Sequence, residues 1–140
     1  MDIVLASQRL AAAGEAVQGI LRADPFVPDS VSEPHLYVGE WRLSLDQTFG
    51  GLVDAEVIIR VLTSRTDDQA GQERLKEFMR RTGPTSVKAA LEADPRLGGV
   101  CDDLHVREIR AHRQYQVADK RYYGADWVLR VLGTDSEEEG

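Results

Sequence analysis

Apolar residues recur along this chain with two different periods. In residues 2–22, Ile3, Ala6, Leu10, Ala13, Val17 and Leu21 follow one another at spacings of three and four. That spacing puts them on one stripe of a helix, and Asp24-Pro25 ends it, because the residue before a proline avoids helical backbone. Residues 24–34 carry Pro25, Pro28 and Pro34 and read as an extended surface connection. The period then changes to two. Leu36-Tyr37-Val38 is a short strand, Gly39-Glu40 a bulge or turn, and Trp41 to Leu45 an alternating strand with one buried face.

The most strand-like run is 55–62, rich in β-branched residues. Ala55, Val57, Ile59 and Val61 share one face, and Ile58 and Leu62 lie on the other beside Glu56 and Arg60. A strand apolar on both faces is either central under a helix or buried on its second face by another subunit. The turn Thr48-Phe49-Gly50-Gly51 joins it to the preceding strand as a hairpin.

The pattern predicts a second helix over 66–81, with Leu75, Phe78 and Met79 on its apolar side and Thr66-Asp67-Asp68 as its cap. A third covers 86–93, capped by Thr85 or Ser86, with Val87, Ala90 and Leu91 facing inward. Leu97-Gly98-Gly99-Val100 is a glycine turn. In 103–117, Leu104 and Val106 have one parity and Ile109, Ala111, Tyr115 and Val117 the other. A bulge between Val106 and Ile109 reconciles them. Asp119-Lys120-Arg121 is a turn, and 122–132 the last strand, with Tyr123, Ala125, Trp127, Leu129 and Val131 on one face. Strands on either side of a helical insertion predict an α+β fold with a mostly antiparallel mixed sheet flanked by helices. Residues 1–133 form one domain, and 134–140 an acidic disordered tail.

Composition narrows the function classes. The net charge of −7 argues against a free-standing nucleic-acid binder, although not against a surface that DNA passes without sticking. No apolar run is long enough to span a bilayer, and the N-terminus lacks the basic segment of a secretory signal. Cys101 is the single cysteine, so no intramolecular disulfide can form, in keeping with a reducing compartment.

Candidate chemistry is sparse. Cys101, Asp103 and His105 would share one side of a strand, but zinc needs further soft or imidazole ligands, and no paired Cys or His motif supplies them. His35, His105 and His112 are scattered without a Ser and an acid in a recognisable catalytic order. Gly50-Gly51 and Gly98-Gly99 match no phosphate loop. Trp41, Trp127, Tyr122 and Tyr123 could stack bases, but their parity within strands favours a core. Arg107, Arg110, Arg113, Lys120 and Arg121 could touch phosphate or meet an acidic neighbour. No catalytic, metal-binding or cofactor-binding residue is assigned.

Three stretches, taken in order and spacing, resemble one known family. They are residues 46–51 with the strand after them through Arg65, residues 86–92 through Leu97-Gly98-Gly99, and Tyr122-Tyr123-Gly124-Ala125 leading into Val128-Leu129-Arg130-Val131. The pattern is similar to the tail terminator proteins of long-tailed, siphovirus-type phages, especially those infecting actinobacteria, over residues 1–133. The resemblance implies a mixed sheet flanked by helices and a structural, non-enzymatic virion protein. It implies a hexameric ring at the head-proximal end of the tail tube, assembled in the host cytoplasm, which stops tube polymerisation. Its partners would be the major tail tube protein and the head-tail connector or stopper, with genomic DNA passing through the lumen without specific binding and no membrane involved. On that expectation Phe49, Gly50, Gly51, Ile58 and Leu62 contribute to one subunit or partner patch, and Arg107, Arg110 and Arg113 meet an acidic patch on the next subunit. Another neck component, a general α+β adaptor and a small metal-dependent hydrolase using Cys101, Asp103 and His105 are the alternatives.

Overall fold

A computed structural model describes residues 1–44, 51–65 and 69–134. The described elements run α1 (Ile3–Glu15), β1 (Arg22–Asp24), β2 (His35–Ser44), β3 (Leu52–Arg65), α2 (Gln69–Phe78), α3 (Val87–Glu92), a 3-10 turn at Leu97–Gly99, β4 (Asp103–Val117) and β5 (Lys120–Thr134). The five strands form one sheet in the order β1-β2-β3-β5-β4. β1 runs parallel to β2, and every other pairing is antiparallel. The fold is a single α+β domain. No described helix is long and apolar enough to cross a membrane.

The core lies between one face of the sheet and the helices. Val57, Ile59 and Val61 of β3 and Trp127, Leu129 and Val131 of β5 are all completely buried there. From the helices come Ala6 and Leu10 of α1, Leu75 and Phe78 of α2, and Val87 and Leu91 of α3. The Trp41 indole N–H donates to Ser7 Oγ at 3.0 Å and ties β2 to α1. The aromatic residues considered for base stacking are structural: Trp127 is core, and Tyr122 is buried in a second, smaller cluster.

Most pattern-based boundaries stand, and the exceptions have local causes. α1 stops at Glu15 rather than near Arg22, and Arg22–Asp24 is the short edge strand. Gly19 has φ +104, a conformation that a helix cannot hold and glycine adopts freely. Leu21, assigned to the helical stripe, is consequently exposed. Gly14 remains within the helix, and Leu36 packs where a side chain would stand. The expected cap at 66–68 lies outside the described residues; the helix after it spans Gln69–Phe78. Ser86 caps α3, its Oγ accepting from the Ala89 N–H at 3.0 Å.

The bulge expected in β2 appears as a register shift between Val38 and Trp41, and that in β4 as one between Val106 and Glu108. The second has a visible support. The Val106 N–H donates to Glu92 Oε2 of α3 at 2.8 Å, and Lys88 Nζ holds the other oxygen of that carboxylate at 2.6 Å. Burial raises the Glu92 pKa, but these two donors outweigh it and leave the carboxyl below its usual value. The turn expected at Asp119 to Arg121 falls one residue earlier, because Val117 pairs with Lys120 and leaves Ala118 and Asp119 as the loop. The sheet also includes Thr134, which pairs with Leu52 and so belongs to the domain rather than to a tail; residues 135–140 lie outside the described residues.

β3 and β5 pair over almost their whole lengths, from Leu52↔Thr134 to Arg65↔Tyr122. A Cβ added at Gly124 would run into the Val61 carbonyl and the Leu62 side chain. Gly124→Ala is therefore expected to lower stability by about 1–3 kcal/mol, read from the urea midpoint. An unchanged midpoint would show that the two strands separate more easily than this contact implies.

Candidate interaction surfaces

The face of the sheet away from the helices is a charged lattice with a small apolar cluster at one end. Period-two alternation places Asp54, Glu56, Ile58, Arg60 and Leu62 of β3 on it, and Asp126, Val128 and Arg130 of β5 beside them. Arg130 grips Asp54 with two hydrogen bonds, 3.1 and 2.9 Å. Those bonds hold the Asp54 carboxyl below the usual carboxylate range. Arg60 grips Asp126 in the same way, at 2.7 and 3.1 Å, and its guanidinium lies 3.9 Å from the centre of the Tyr115 ring. Burial, with the Asp126 charge beside it, pushes the Tyr115 hydroxyl up to about 12.

The residues expected at interfaces fall into three groups. Phe49 and Gly50 lie outside the described residues, and Gly51, with φ +82, opens β3. Ile58 is half-buried on the charged face. Leu62 is fully buried within its own chain, packed with Tyr37 and Tyr122. The second apolar face of β3 is thus covered by this chain at Leu62, and that residue is not available to a partner. Of the arginines, Arg107 reaches Glu56 at 3.3 Å and Arg110 reaches Glu108 at 2.7 Å, while Arg113 is exposed nearer the β4–β5 hairpin tip. Two of the three therefore have acidic partners in the same chain. Shallow clefts of about 340 and 260 Å³ between these side chains are lined by both signs of charge.

The proposed metal cluster does not converge. Cys101 precedes β4, is buried, and points its thiol at the Pro95 carbonyl, 3.3 Å away, whereas Asp103 and His105 are exposed. Burial, followed by the charges of Asp102, Asp103 and Asp94, pushes the thiol up to about 11, which disfavours the thiolate needed for metal or nucleophile chemistry. Among the described residues no group of three or more His, Cys, Asp or Glu could hold a metal ion.

Sequence reasoning missed a buried network at the β1 edge. His35 Nε2 lies 2.7 Å from Asp24 Oδ2, Arg22 Nε donates to the same oxygen at 3.0 Å, and the Ser32 backbone N–H donates to His35 Nδ1 at 3.0 Å. Asp24 and His35 flank the proline-containing segment 25–34, and that placement was the available signal. With Nε2–H donating and Nδ1 accepting, both ring nitrogens are engaged. The network clamps the ends of the segment together. A cleft of about 680 Å³ opens beside it, bounded by Glu15, Leu21, Arg22 and Ser32. Leu21, Phe26 and Val27 are exposed at this edge.

At the opposite end of the sheet is a groove of about 340 Å³. Leu52, Val53 and Leu132 form its floor and Asp54, Asp102 and Asp103 its rim. Leu43 and Leu52 are exposed at this end.

A scan against protein-family models finds no match to this chain, and a search of curated proteins finds none.

The buried clamp gives a pH prediction. Burial raises the Asp24 pKa, but the His35 and Arg22 hydrogen bonds outweigh it and hold the pKa below the unfolded value. Its contribution is complete above about pH 4 and is lost as pH falls through the lower folded pKa. Asp24→Asn should cost about 1–3 kcal/mol at pH 7, with the gap to wild type narrowing below about pH 4 in denaturant titrations. A constant gap across that range would contradict the assignment.

Proposed function

We propose that this chain is a structural virion protein, the tail terminator of a siphovirus-type phage. It forms a ring at the head-proximal end of the tail tube, stops tube polymerisation and joins the tail to the head connector. The observation that carries this proposal is that the three stretches resembling that family occupy linked parts of one α+β sheet unit. The first leads through Gly51 into β3, the second is α3 with the Leu97–Gly99 turn feeding β4, and the third lies in β5, directly paired with β3. The architecture, a mixed sheet with helices, is the class that the resemblance implies.

The surface is compatible with this role. Ring contacts are heterologous, so each subunit needs two different complementary patches. The chain has unlike exposed features in separate places: Leu21, Phe26 and Val27 at the β1 edge, and the acid-rimmed groove beside Leu43 and Leu52 at the far end. The paired charges of the open face leave little unopposed positive charge there for DNA, in keeping with a lumen through which DNA passes without specific binding.

The test is native mass spectrometry of the purified chain. The expected species has six times the 15.6-kDa subunit mass, either alone or on addition of tail tube protein. A strict monomer under both conditions would refute the ring.

A further inference from the structure

The ribbon made by β4 and β5 is charged differently at its two ends. At the tip, around the Ala118-Asp119 loop, Lys120 and Arg121 are exposed, with Asp119 as the nearby acid. At the base, where Asp103 pairs with Leu132, lies the groove floored by Leu52, Val53 and Leu132 and rimmed by Asp54, Asp102 and Asp103. Among the described residues none of its lining side chains is basic. Asp54 is engaged by Arg130, and Asp102 accepts from the Thr134 hydroxyl at 2.7 Å. Asp103 stands exposed at the rim.

We propose that the β4–β5 hairpin tip of one copy docks in the base groove of a second copy, with Lys120 and Arg121 meeting Asp102 and Asp103 while the groove floor is covered. This rests on the ring proposed above and names its subunit contact. Two observations favour a second copy as occupant. The charges are complementary, and partial desolvation over an apolar floor strengthens such pairs relative to open water. The tip and groove lie twelve residues apart along β5, about 40 Å of strand, so a chain cannot fill its own groove with its own tip. A tip-to-base contact is heterologous, so repeating it produces a closed ring or an open fibre.

The contact is tested by charge exchange. Lys120→Glu with Arg121→Glu makes the tip acidic. Asp102→Asn with Asp103→Lys removes the two acids proposed to meet the tip and puts one basic group in their place while keeping an acceptor for Thr134. All four positions are exposed, and unchanged circular dichroism would verify folding. Light scattering across a concentration series should show wild-type association that weakens between about 0.05 and about 0.5 M salt. Each double variant should associate at least about tenfold more weakly, and an equimolar mixture of the two should regain association, since each then offers the other a complementary end. Assembly unaffected by either variant would overturn this contact and leave the ring proposal standing. Failure of the mixture to recover would also overturn the contact. A wild-type chain that is monomeric at every concentration, with and without tail tube protein, would overturn both.

Discussion

The structure depends on the long antiparallel pairing of β3 with β5. Both strands present an unbroken row of apolar side chains to the helices, and six of them, Val57, Ile59, Val61, Trp127, Leu129 and Val131, are completely buried. Burying each contributes about 1.5–3 kcal/mol. Because side chains alternate, a slip of one residue would turn either row outward, so the register is set by the burial itself. Two features on the strands reinforce it. Gly124 lets the backbones approach at Val61, and Arg60 joins Asp126 across the pair on the other face. Everything else hangs on this ladder: β2 with the edge strand β1 on one side, β4 on the other, and the helices over one face. A rigid ladder also keeps the hairpin tip and base groove at a fixed separation, which a repeating subunit contact requires.

The opposite face uses its charges locally. Asp54, Glu56, Glu108 and Asp126 each accept from an arginine of the same chain. Exposed pairs of this kind contribute little to stability. The Arg60–Asp126 pair differs because Asp126 is buried and the guanidinium stacks on Tyr115, so loss of either partner would strand a desolvated charge. Local pairing uses up much of the basic surface that Arg107 and Arg110 suggested, and shifts attention to the ends of the ribbon.

Where a residue's neighbours lie within a few positions, the sequence was informative. The parity of β3 and β5, the β4 bulge between Val106 and Ile109 and a cap at Thr85 or Ser86 all follow from local spacing and agree with the fold, in which Ser86 is the cap. Features made by distant segments were not legible. The Asp24–His35 clamp joins the ends of an eleven-residue separation with no periodicity between them. The burial of Leu62 depends on Tyr37 and Tyr122, which no local pattern connects to it. Glu92 reads as a solvated helix residue, yet it supports the β4 bulge. The same limit applies to the surfaces: local spacing suggested the arginines of β4, but only the pairing of β4 with β5 shows that basic and acidic groups collect at opposite ends of one ribbon.

The central claim, that this chain caps a tail tube as a ring, is tested most directly by electron microscopy of tail tube protein polymerised with and without it. The account predicts ring-shaped density of this chain at one end of each tube and no growth beyond that end. Tubes that elongate past bound protein, or protein spread along their walls, would contradict it.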